Sequence, residues 1–168
     1  MTILKSATDW AKAELVSTPF FILAGILFLV ASIGFWQLGK TELARAYIIP
    51  TLVAGVLLVI IGTGLFFTNR TRLAEFPVAY ERDAAAFVAA ERVRAEATLK
   101  EYDNVVFTAI PILIAACAIA LLFLSGPGWR AALITTIAFL VVLLLIDGTA
   151  YARIYGYQQA LNSVEEPG

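Results

Sequence analysis

The sequence predicts an all-α membrane protein. It should have four transmembrane helices, with a long cytoplasmic helix between the second and third that runs on into the third. Three observations carry this prediction. Apolar residues make up 61% of the 168-residue chain and charged ones only 15%, against about 45–50% and about 25% in a soluble domain. The excess is gathered into four runs of about 20 residues, enough helix to cross a hydrocarbon core about 30 Å thick. One long polar stretch, residues 69–104, separates the first two runs from the last two.

Residues 1–17 read as an amphipathic interfacial helix. Leu4, Ala7, Trp10 and Ala11 share a helical face, while Lys5, Asp9 and Lys12 point elsewhere. Such a helix lies in the membrane surface, with Trp10 at headgroup level. A cleaved signal peptide fits less well, because the apolar run starts only near Pro19 and is too long for a signal core.

Residues 18–68 form the first transmembrane hairpin. Its spans are 19–38 and 47–67, and the connection GKTELARA is too short for anything but antiparallel neighbours. Pro50 falls in the first turn of the second span, where its missing N–H matters little. Gly55 and Gly62 are seven apart and share one face, which lets another helix approach closely. The second hairpin occupies residues 105–157, with spans 105–124 and 129–146. Pro111 should kink the third span or free a backbone carbonyl. Ala116 and Ala120 offer a second close-packing surface. Ser125–Gly128 is a tight turn. Tyr151, Tyr155 and Tyr157 resemble an interfacial aromatic belt, and residues 158–168 a flexible tail.

The central stretch is rich in Ala, Glu, Arg and Leu and contains no glycine, so helix is expected. Phe76-Pro77 marks its start, since proline suits a first helical turn. Tyr80, Phe87, Val88, Leu99 and Tyr102 then fall on one apolar stripe. Arg92, Glu96 and Lys100 sit four apart, in position to pair on the opposite face. The stripe needs a cover. The options are the chain's own terminal segments, a neighbouring copy, or another protein. Nucleic acid is excluded as a partner, because the stretch holds six basic and seven acidic side chains and has no positive field to hold phosphates.

Four spans place both termini and the central helix on one side. That side carries nine Lys and Arg residues and the other three. The positive-inside rule then puts the termini in the cytoplasm, and a bacterial inner membrane is the expected location. The chain has no histidine and one cysteine, Cys117. Histidine-ligated metals, histidine bases and CxxC motifs are therefore excluded. No cofactor is expected, and no paired-carboxylate or nucleotide motif appears.

Asp147 is the candidate for chemistry, as the acid at the end of the fourth apolar run. A charge at that depth usually pairs or lines a wet path. Arg70, Arg72 and Arg153 are its candidate partners. The functional expectation is a non-enzymatic membrane protein that self-associates through its helices, with Asp147 lining a cation or proton path. The alternative is an accessory or scaffold subunit of a larger complex, contacted through the cytoplasmic helix.

Overall fold

The computed structural model describes Ile3–Ser163, and every regular element among these residues is helical. The elements are α1 (Ile3–Leu38), α2 (Glu42–Ala46), α3 (Ile48–Arg82), α4 (Ala84–Glu101), a π-helical segment (Tyr102–Ala109), α5 (Ile110–Phe123) and α6 (Pro127–Asn162). Four helical runs are long and apolar enough to cross a membrane: Ile3–Leu38, Glu42–Arg82, Ala84–Phe123 and Pro127–Asn162.

These runs are longer than a bilayer requires. At 1.5 Å per residue, the 36 residues of α1 extend about 54 Å against a core of about 30 Å. The surplus lies at one end of the bundle. There the first turns of α1, the end of α3, all of α4 and the end of α6 pack into one cluster that includes Ile3, Trp10, Phe76, Phe87, Leu99, Ile154 and Leu161.

Several boundaries differ from the sequence reading. Of the segment 1–17, the described residues 3–17 are not a separate helix, because α1 passes through Pro19 unbroken. The Ser17 and Thr18 hydroxyls both donate to the Glu14 carbonyl (2.9 and 2.8 Å), next to the Leu15 carbonyl that Pro19 cannot serve. Pro77 does not start a helix either, since α3 runs past it to Arg82. The break comes at Asp83, in extended backbone. Its N–H donates to Ala79 O (3.2 Å) and closes α3, while its side chain accepts from Ala86 N (2.9 Å) and caps α4. One aspartate therefore ends one helix and starts the next. The expected tail lies partly outside the described residues, but α6 continues to Asn162 and Leu161 is wholly buried.

Pro111 neither breaks nor ends the third run. It has no N–H for the Phe107 carbonyl, and its ring crowds that carbonyl. The wider π-helical segment lies directly before it, and Ile110 N–H bonds to Val105 O, five residues back. The Thr108 hydroxyl likewise donates to Asp103 O at 2.7 Å.

Backbones approach most closely between α1 and α3. A Cβ added at Gly55 would lie 2.9 Å from Gly25 O, and one at Gly25 would lie 2.9 Å from Gly55 O. Gly62 faces Ile22 and Phe21 at 2.7 and 3.0 Å by the same measure. The buried Ser32 hydroxyl donates across to Ile48 O at 2.8 Å. Gly55→Ala should push the helices apart and cost about 1–3 kcal/mol. Gly64→Ala, where a Cβ meets nothing within 4 Å, should cost nothing. Thermal unfolding of the two variants in the same detergent checks this, and equal melting temperatures would refute the close-approach account.

Candidate functional site

The apolar stripe on α4 contains an acid. Phe87, Glu91, Ala95 and Leu99 follow at intervals of four and are all buried. A carboxylate in such a place needs charge and hydrogen bonds. Arg94, one turn on, supplies both: its Nε donates to Glu91 Oε1 at 2.8 Å and its Nη2 donates to Oε2. From α6, the Tyr157 hydroxyl donates to Oε2 at 2.9 Å. Burial, and then the Glu91 carboxylate, push the Tyr157 phenol above its ordinary range, so it stays protonated and remains a donor.

α1 contributes the floor of this layer. The Trp10 indole stacks on the Tyr157 ring, with centres 5.4 Å apart and planes 10° from parallel. Two guanidinium carbons lie over the indole, Arg94 at 4.4 Å and Arg72 at 5.5 Å from its centre. This is cation–π geometry. Arg72, from α3, donates through Nη1 to the buried Asn69 amide oxygen at 3.0 Å. The layer thus draws one side chain or more from α1, α3, α4 and α6.

A second ion pair lies nearer the apolar spans. Arg153 Nε donates to Glu14 Oε1 at 2.9 Å, and its Nη2 donates to Ser17 Oγ at 2.9 Å. Asp147 is half-buried and makes no hydrogen bond or ion pair among the described residues. None of its three expected partners reaches it. Arg70 is exposed, Arg72 turns to Asn69, and Arg153 turns to Glu14. Six residues along α6 place Arg153 about 120° around the helix from Asp147, which explains why it faces α1 instead.

The other expected residues fall as follows. Gly55 and Gly62 face α1. Ala116 on α5 is exposed and Ala120 half-buried. Tyr80, Phe87, Val88, Leu99 and Tyr102 all pack within the cluster built from α1, α3, α4 and α6 of the same chain. Arg92 reaches from α4 to α6. Its Nε and Nη2 donate to Leu161 O on α6 at 3.1 and 2.9 Å. Tyr157 is buried in the polar layer and is no surface anchor, whereas Tyr155 is exposed. Tyr151 meets Tyr102, Phe107 and Tyr155 edge-on or stacked at 5.0–6.2 Å.

Further along the bundle, an apolar groove of about 410 Å³ opens between α3, α5 and α6. Pro50 and Val53, Cys117, and Thr135 and Phe139 line it. Among the described residues, no group of three or more Cys, Asp or Glu side chains is placed to hold a metal ion. In the polar layer both Glu91 oxygens are already engaged, so this carboxylate acts as a fixed anion that orders its neighbours.

The class these features define is a multi-pass membrane protein: among the described residues every regular element is helical, and four helices are long and apolar enough to span a bilayer. No family model, curated protein or solved structure matches the chain.

The layer predicts a graded response. Tyr157→Phe removes one donor from Glu91 and should cost about 1 kcal/mol. Glu91→Ala leaves a part-buried arginine without its partner and should cost about 3 kcal/mol. Melting temperatures in detergent that fall equally for both, or for neither, would refute the arrangement.

Proposed function

We propose that this is a non-enzymatic membrane protein that self-associates through its membrane-spanning helices. The supporting observation is the state of α5. It packs chiefly on α6, and Ile112, Leu113, Ile119, Leu122 and Phe123 are exposed along it. With Ala116 between them, this side combines apolar bulk with a place for close backbone approach. The stripe on α4, by contrast, is covered within the chain, so the contact between copies belongs to the spans.

A second reading concerns ions. Asp147 is a half-buried acid with no ion-pair partner among the described residues. An assembly that brings several copies of it together forms a cation or proton path. The location that fits is a bacterial inner membrane, with the polar end of the bundle in the cytoplasm by the positive-inside rule.

Two experiments test these readings. The protein extracted in mild detergent should have a mass that is a whole multiple of 18.2 kDa. Ala116→Leu should weaken assembly about tenfold, or about 1.4 kcal/mol. A monomeric wild type would sink self-association, and a stoichiometric foreign protein would favour the accessory-subunit reading. Once reconstituted in liposomes, the same preparation should pass cations or protons, with Asp147→Asn reducing flux and leaving the mass unchanged. Unaltered flux removes the path.

Orientation is tested separately by labelling cysteines in intact cells on a Cys117→Ala background. A membrane-impermeant maleimide should modify Lys40→Cys and spare Arg82→Cys. The reverse pattern inverts the topology.

A further inference from the structure

Among the described residues, Trp10 Nε1 is the one buried side-chain polar atom without a hydrogen-bond partner. A buried donor left in that state is costly, and native structures rarely keep one without a reason. Its neighbour is also incomplete. Arg72 is half-buried, and its guanidinium lies over the same indole. It bonds to the neutral Asn69 amide, and no carboxylate among the described residues lies within ion-pair distance of it. Arg94 in the same layer is matched by Glu91, and Arg153, nearer the apolar spans, by Glu14. Burial, and then the adjacent Arg94 charge, pull the Arg72 guanidinium below its ordinary range, outweighing the opposite pull of the Glu91 and Glu14 carboxylates, neither of which is within ion-pair distance. An unmatched cation beside an unmatched N–H donor lacks the same thing twice, an anionic acceptor.

Position along the chain indicates which anion. The apolar run of α3 ends at Phe67, five residues or about 7.5 Å of helix before Arg72. Trp10 lies nine residues before the start of the first apolar run at Pro19. Both are therefore just beyond the hydrocarbon, where headgroups lie and where tryptophan N–H groups commonly find partners.

We propose that Arg72 and the Trp10 indole N–H bind the phosphate of a phospholipid headgroup. A phosphodiester supplies a full negative charge and several acceptor oxygens, and the planar guanidinium matches it with paired N–H donors. Tyr157 and Arg94 hold the indole in orientation through the stack and the cation–π contact. Nε1 has essentially no accessible surface. Binding therefore requires the side chains packed around the indole, Arg72 among them, to rearrange so that the phosphate meets both donors. This site is independent of self-association.

The test uses the full chain, delipidated in a neutral detergent and titrated with three probes: phosphatidylglycerol, diacylglycerol and inorganic phosphate. Binding is read by native mass spectrometry and by the shift in melting temperature. Phosphatidylglycerol should bind and raise the melting temperature, and diacylglycerol, which lacks the phosphate, should not. Arg72→Gln should weaken binding at least about tenfold, as expected for a hydrogen-bonded charge. Trp10→Phe keeps an aromatic ring against Tyr157 and removes the N–H. It should weaken binding about three- to tenfold, whereas Gly55→Ala, which destabilises the fold away from the site, should bind phosphatidylglycerol as the wild type does; a purely structural Trp10 would not give that difference. Wild-type affinity in both variants, or equal binding of diacylglycerol, overturns the proposal. Inorganic phosphate that stabilises as well as the lipid assigns the site to a free anion and overturns the lipid reading.

Discussion

Glu91 sets the terms for the polar end of this bundle. A carboxylate on the buried side of α4 is tolerated only where a cation and further donors reach it. Arg94 comes from its own helix, but Tyr157 must come from α6, and α6 can deliver it only in one register. Tyr157 in turn fixes the plane on which Trp10 of α1 stacks, and the indole provides the face on which Arg72 of α3 rests. Each contact is modest in energy. Together they specify how four helical ends meet, a task that nonspecific apolar packing performs poorly.

The spans are held by different physics. Between apolar helices in lipid there is little hydrophobic gain from association, so close van der Waals contact and a few hydrogen bonds decide the pairing. Gly25 and Gly55 supply the contact and Ser32 the hydrogen bond. The chain thus has a glycine-lined seam between α1 and α3 and a polar clasp beyond the spans, while α5 stays largely uncovered. The groove between α3, α5 and α6 follows from that uneven packing, since α5 leans on α6 rather than on α3.

The four helices were legible because each apolar run is long and uninterrupted, and composition alone separates such runs from soluble sequence. Boundaries were less so. Pro77 has the credentials of a first-turn residue, yet tertiary contacts around Phe76 carry α3 through it. Asp83, a plain N-cap type, marks the real break. The polar layer was readable in part. Glu91 occupies the interval between Phe87 and Ala95 at a spacing of four, which places an acid within the apolar stripe, and that anomaly was the available signal. No pattern along the chain tells that Trp10 and Tyr157 stack, because 147 positions separate them and only the fold brings them together. Gly25 was equally silent until its counterpart Gly55 was seen opposite.

The π-helical segment Tyr102–Ala109 links two stretches with different obligations. Upstream, α4 must turn its stripe toward α1 and α6; downstream, Ile110 of α5 is buried while most of that helix faces outward. Each π-turn holds an extra residue relative to an α-turn, so the segment retards the helical phase between the two. It works as a gear between them, letting one continuous rod present independently chosen faces to a water-side clasp and to a membrane span.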